Sequence, residues 1–191
     1  MVNQNDLRTI KTERDIKQAF FTLLNKRGFE KITVNDIIKQ ALIGKGTFYN
    51  HYKDKYDLAT HIVQEALGEY KLLLHQRLSI IHHTNLEKHA IYDLLPDIEN
   101  TLEKFLLLQK INTPEINFNV EIKKIITQEY EILLKNSNLS ELKEPQTVAR
   151  LLATITLEYL SEYGQNLYQP NTKILNIQLQ EFIAAIQYFY L

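Results

Sequence analysis

Lys45 to Lys53, KGTFYNHYK, brings together a hydroxyl, an amide, an imidazole, two phenols and two ammonium groups, with no carboxylate among them. This is the chemistry of hydrogen bonding to a polyanion, not of making or breaking covalent bonds. At about 100° per residue on a helical wheel, Phe48 and Tyr52 fall on one side and Gly46, Thr47, Tyr49 and Asn50 on the other. Lys45 and His51 lie on the flanks. Thr47 and Asn50 are suited to base edges, Asn to adenine and the Thr methyl to thymine. Gly46 omits a side chain where a backbone would come close to a groove. Lys45, Tyr49 and His51 can reach phosphates. Thr33 opens the preceding helix and Lys55 stands at the start of the following one, so each helix end adds an expected phosphate contact through free backbone N–H groups.

Other chemistries lack material. There is no Cys, which excludes disulfides and thiolate metal sites, and the 5 Gly form no P-loop, dinucleotide-binding or nucleophile-elbow pattern. His75, His82, His83 and His89 lie near one another in sequence, but the adjacent pair points in different directions on a helix, whereas ligand pairs favour i,i+4 spacing. Glu141 with Glu144 and Glu158 with Glu162 read as solvated helix faces. The expectation is no catalytic residue, no metal and no cofactor, hence no enzyme.

The elements that must position these residues are helical throughout. Ile16, Phe20, Leu23 and Leu24 give an apolar stripe for a first helix over about 9–27, stopped by Gly28 after Lys26 and Arg27. Thr33, with Asp36 three residues on, approximates a capping box for a second helix, whose apolar face is Val34, Ile37, Ile38 and Ala41. A third helix covers about 45–51. A fourth runs from about 54 to 80 with Leu58, Ile62, Ala66, Tyr70 and Leu73 in its stripe. Further helices are expected at about 86–94, 97–111, 116–137, 146–166 and 173–190, with Pro96, Pro114, Pro145 and Pro170 at their boundaries. The fold class is therefore all-α, with a helix-turn-helix head over residues 1–60 and a helical effector-binding and dimerisation bundle over 61–191, the boundary falling inside the fourth helix.

Composition agrees with a globular chain, 45% hydrophobic and 24% charged. The formal charge of -1 conceals an asymmetry: residues 1–60 carry 11 Lys and Arg against 7 Asp and Glu, and the remaining residues 11 against 16. A basic head on an acidic body suits nucleic-acid binding. The start, MVNQNDLRTI, has no apolar signal-peptide core, and no run approaches the ~18 apolar residues of a membrane span. A cytoplasmic protein without membrane contact is expected.

GTFYNHYKDKYDL, preceded by KITVNDIIKQALIGK and by Arg14, Ile16, Ala19 and Phe20 in an R-x-I-x-x-A-F pattern, resembles the DNA-binding domain of the TetR/AcrR family of transcriptional regulators, in its Firmicutes-type form. The likeness covers about residues 8–60. It implies phosphate contacts from Thr33, Tyr49, His51 and Lys55, and base-facing positions at Lys45, Thr47 and Asn50. The turn Ala41-Leu42-Ile43-Gly44 departs from the family's usual Ala-Gly-hydrophobic-Ser. Leu42 replaces a glycine where positive φ is costly for a side chain, so a rewound turn is expected. Gly44 is acceptable as the N-cap of the third helix.

In the body, Tyr92, Phe105, Tyr130, Tyr159 and Tyr163 are candidates to line an effector pocket, tyrosines offering apolar bodies with polar tips. The helix expected at 173–190 has more apolar surface than one core requires. Ile183, Ile186 and Phe189 are the expected homodimer contacts, in a four-helix bundle by two-fold symmetry. Together these features imply a homodimeric, ligand-responsive repressor on a palindromic double-stranded operator, its partners being DNA, a second copy and a small-molecule effector. The alternative is a TetR-like protein-interaction adaptor or coactivator without operator binding, for which Leu42 is the one supporting feature.

Overall fold

A computed structural model describes residues 4–84, 98–111, 113, 115–136 and 144–164. Seven α-helices appear among them: α1 (Gln4–Arg27), α2 (Val34–Ala41), α3 (Lys45–His51), α4 (Lys55–Thr84), α5 (Ile98–Gln109), α6 (Phe118–Lys135) and α7 (Pro145–Gly164), with a short 3₁₀ turn at Phe29–Lys31. The all-α expectation holds for these residues. The helices expected at about 86–94 and 173–190 lie outside the described residues, as do Tyr92, His89, Ile183, Ile186 and Phe189.

The chain divides into two compact units. One comprises the described residues up to Ala66 together with Leu107–Phe118, and the other comprises Leu67–Leu106 together with the described residues from Asn119 onward. Helix α4 contributes to both.

In the first unit, α1 begins five residues before the expected start, and Ile16, Ala19, Phe20, Leu23 and Leu24 are buried along one side. It stops where Gly28 takes φ 74°, a value for which glycine is suited and a Cβ is not. No heavy atom lies within 4 Å of the place a Gly28 Cβ would occupy, so conformation and not space calls for glycine here. Phe29 then turns back into the core, 6.2 Å from the Phe20 ring and 5.6 Å from that of Tyr56, edge to face in both cases. Ile32, Ile37, Phe48, Leu58, Ala59, Ile62 and Val63 complete this core.

In the second unit, α6 buries Ile122, Ile126, Tyr130, Leu133 and Leu134, and α7 buries Val148, Ala149, Leu152, Ala153, Thr156 and Leu160. Tyr130 Oη and Thr156 Oγ1 form a buried hydrogen bond of 2.9 Å between the two helices. Phe105 of α5 meets Tyr70 of α4 edge to face at 5.8 Å.

Candidate nucleic-acid interface

Helix α3 is held by two aromatic anchors. Phe48 is fully buried and Tyr52, its C-terminal cap residue, is 4% exposed. Tyr52 Oη donates to Glu13 Oε1 of α1 at 3.5 Å. Burial and the Glu13 charge together push its phenol up to about 12. Glu13 also pairs with Lys17, which pairs in turn with Glu65 of α4. Burial works against the Lys17 ammonium, yet hydrogen bonds to Glu13 and Glu65 outweigh it and hold its pKa above the usual lysine range. The network ties α1, α3 and α4 together behind the outward face.

That outward face carries the predicted set. Lys45, Gly46, Tyr49 and Asn50 are exposed, and Thr47 and His51 are half-buried at its edges. Phe48 and Tyr52 face inward, as the wheel predicts. Gly44, the N-cap of α3, offers no side-chain hydrogen bond. A Cβ added at Gly46 would meet no heavy atom within 4 Å, so the packing of this chain does not require glycine there.

The two flanking helix starts differ from the open anion sites the sequence pattern suggests. At α2, the capping box forms in full: Asp36 N donates to Thr33 Oγ1 at 3.2 Å, and Thr33 N donates to Asp36 Oδ2 at 3.0 Å. The Thr33 hydroxyl donates to the same carboxylate at 2.7 Å, and Arg27 pairs with its other oxygen at 3.2 Å. The Thr33 hydroxyl donates its proton inside the chain and has none left for a phosphate; the Val34 and Asn35 amides are the donors that remain at this end. At α4, Asp54 Oδ1 accepts from Tyr56 N and Asp57 N at 2.8 and 2.9 Å, and Lys53 N donates to Asp57 Oδ2 at 2.8 Å. Those amides already face a carboxylate. Lys55, expected on a phosphate, instead points inward: Nζ donates to the carbonyls of Phe29 and Glu30 at 3.2 and 3.1 Å and lies 4.8 Å from the Phe29 ring centroid. One ammonium proton remains. Lys55 thus caps two carbonyls early in the α1–α2 connection, of which Phe29 O also accepts from Ile32 N at 3.2 Å.

The turn between α2 and α3 is not rewound. Leu42 adopts φ 55°, ψ 40°, the left-handed conformation expected of the glycine it replaces, with 92% of its surface exposed. Leu42 N donates to Lys39 O at 3.4 Å and Ile43 N to Ile38 O at 3.2 Å, the paired pattern of a Schellman ending. The one feature favouring an adaptor therefore leaves the helix-turn-helix geometry intact.

Residues 18–62 match the family described as bacterial regulatory proteins, tetR family. Those residues carry a TetR-family helix-turn-helix domain. The family is one of regulators and not of enzymes. The chain is similar to an HTH-type transcriptional regulator of Staphylococcus aureus strain MSSA476, 24% identical, the match covering 67% of this chain and 92% of that one. A counterpart from strain USA300 is 25% identical, over 66% and 91%. Among solved structures, a gamma-butyrolactone receptor (ArpA-like protein) matches with a TM-score of 0.57 at 22% identity, covering 95% of this chain and 98% of that one. A transcriptional regulator from Aquifex aeolicus VF5 matches with a TM-score of 0.60 at 21% identity, over 92% and 99%. At these identities the structural likeness speaks for the fold.

In the second unit, the described members of the predicted aromatic set lie on α5, α6 and α7. Phe105 and Tyr130 are core residues, 3% and 4% exposed, and Tyr159 is buried on α7. Tyr163 lies on α7, and Tyr92 is outside the described residues. A cleft of about 380 Å³ is lined by residues of α4 and α6 with Asn136 just beyond, among them His75 and Glu129. Sequence reasoning passed over Glu129. Its signal was present, because Ile122, Ile126, Glu129 and Leu133 fall at helical spacing and place an acid within an apolar stripe.

Proposed function

We propose that this protein is a TetR-family, ligand-responsive repressor that binds a palindromic DNA operator as a homodimer in the cytoplasm. The observation that carries the reading is the outward face of α3: Lys45, Gly46, Tyr49 and Asn50 stand exposed on a helix whose other side is locked by Phe48 and Tyr52. Thr47 and Asn50 read base edges, while Lys45, Tyr49 and His51, with the remaining amides at the start of α2, contact phosphates. Two heads joined by symmetry would place two α3 helices in successive major grooves, about 34–36 Å apart. Ile183, Ile186 and Phe189 are the proposed dimer contacts, from the apolar excess of the sequence around them. Among the described residues no helix is long and apolar enough to cross a membrane. The relatives from Staphylococcus aureus support a place among Firmicutes-type members.

A ligand in the second unit would favour one state of α4 over another and so withdraw the DNA-competent population. The test of operator reading is selection from random duplexes at about 50 mM salt, followed by titration up to about 200 mM. An enriched inverted repeat is expected, with affinity falling steeply as counterions are released. Thr47→Ala and Asn50→Ala should shift the preferred sequence, each by roughly 1–3 kcal/mol of discrimination. Selection that enriches no sequence would remove the repressor reading.

A further inference from the structure

The cleft beside α4 and α6 combines a buried acid with an apolar wall. Glu129 is 4% exposed, yet neither lysine nor arginine pairs with it among the described residues. Among the described residues its carboxylate has a single hydrogen-bond partner, His75, whose Nδ1 lies 3.0 Å from Oε2. The imidazole side chain is 61% exposed, so it can swing into solvent without disturbing the core. On the neighbouring turn of α4, Ser79 Oγ donates its proton to Gln76 O at 2.7 Å. Toward the cleft Ser79 is therefore an acceptor only. Leu78 and Leu133, both buried, and the half-exposed Ile132 supply the hydrocarbon wall.

The lining thus offers a negative charge, a hydroxyl acceptor and, at Asn136, an amide beside an apolar surface, in a volume within the range of small-molecule sites. An anion would face the Glu129 carboxylate. A metal ion lacks ligands, because no group of three His, Cys, Asp or Glu is assembled among the described residues. We propose that this cleft binds a small organic ammonium ion. Its nitrogen takes the Glu129 carboxylate in place of His75, and its hydrocarbon body lies against Leu78, Ile132 and Leu133. The inference deepens the ligand-responsive reading and rests on it for its regulatory meaning.

Calorimetry on the full chain without DNA, at about pH 7.5, tests the site with three probes of one skeleton: 3-phenylpropylamine, 3-phenylpropan-1-ol and 3-phenylpropanoate. The amine is expected to bind at least about tenfold more tightly than the alcohol, and the carboxylate most weakly. Glu129→Gln should abolish the advantage of the amine over the alcohol. Equal affinities for amine and alcohol, an advantage that survives in Glu129→Gln, or no amine binding at millimolar concentration would each overturn the proposal. If Glu129→Gln loses its helical circular dichroism, Ser79→Phe replaces it, narrowing the cleft from its exposed rim. Amine binding unchanged in that variant would place the ligand elsewhere. Because no DNA is present, failure here leaves operator reading standing, and failed operator selection leaves this result standing.

Discussion

Helices α2 and α3 are consecutive, similar in length, and stabilised in opposite ways. Helix α2 is secured at its start: Thr33 and Asp36 satisfy each other reciprocally, with Arg27 on the far oxygen of the carboxylate. Helix α3 has no side-chain cap at Gly44, and a second glycine, Gly46, sits in its first turn. Glycine costs about 1 kcal/mol relative to alanine inside a helix. What holds α3 is burial, by Phe48 and Tyr52 on its inner side. The helix that presents groups outward thus leaves its own start and outer face bare, and its neighbour carries the local stabilisation. Anchoring from behind permits a surface chosen for what it contacts instead of for helix propensity.

The most severe way to break this contrast is Phe48→Ala. Removing a fully buried phenylalanine should cost about 3–5 kcal/mol. Urea unfolding followed by circular dichroism is expected to show that loss together with the loss of DNA binding. A cost below about 1 kcal/mol would mean that α3 is held by something other than its anchors.

Thr33→Ala probes the other side of the comparison, with about 1–2 kcal/mol expected from the lost cap. Its pH dependence has a definite sign. Hydrogen bonds from the Thr33 hydroxyl and amide hold the Asp36 carboxyl below its ordinary 3.8, and the Lys17 hydrogen bond holds Glu13 below 4.5. Groups with depressed folded-state pKa values stabilise the fold above their unfolded values and cease to do so as pH falls through the folded ones. The native chain should therefore lose stability below about pH 4. The gap between it and Thr33→Ala should narrow there, as measured by urea midpoints between about pH 3 and 6. A gap that stays constant to pH 3 would remove Asp36 from the cap energetics.

Gly46→Ala has the smallest effect and the sharpest meaning. The added methyl enters open space and improves helix propensity, so stability should rise by about 0.5–1 kcal/mol. DNA affinity should nevertheless fall, because the methyl stands where the groove approaches. Parallel unfolding and DNA-binding titrations decide it: affinity that is unchanged or improved would show that this edge of α3 does not meet DNA.

What was legible beforehand follows a physical line. The stripe of α1, its stop at Gly28, the capping box of α2 and the division of α3 into inner and outer sides depend on residues no more than a few positions apart. Local spacing carries that information, and the structure repeats it. Leu42 marks the first limit. Its side chain argues against the left-handed region, yet the carbonyls at the end of α2 and the need to deliver α3 to its anchors overrule a local cost of order 1 kcal/mol.

Longer separations lie beyond what spacing can reveal. Lys55 looks like a surface cation ready for phosphate, but the carbonyls that claim it belong to Phe29 and Glu30, more than twenty positions back. Glu129 looks like a solvated acid until α6 turns it toward His75, 54 residues away. By itself the sequence determined the described helices, the stop of α1 at Gly28, the cap of α2 and which face of α3 is bare, because these are set by interactions within one or two helical turns. The tertiary structure alone decided which charged groups are engaged and which remain available, because that depends on the partners that folding brings within hydrogen-bond distance.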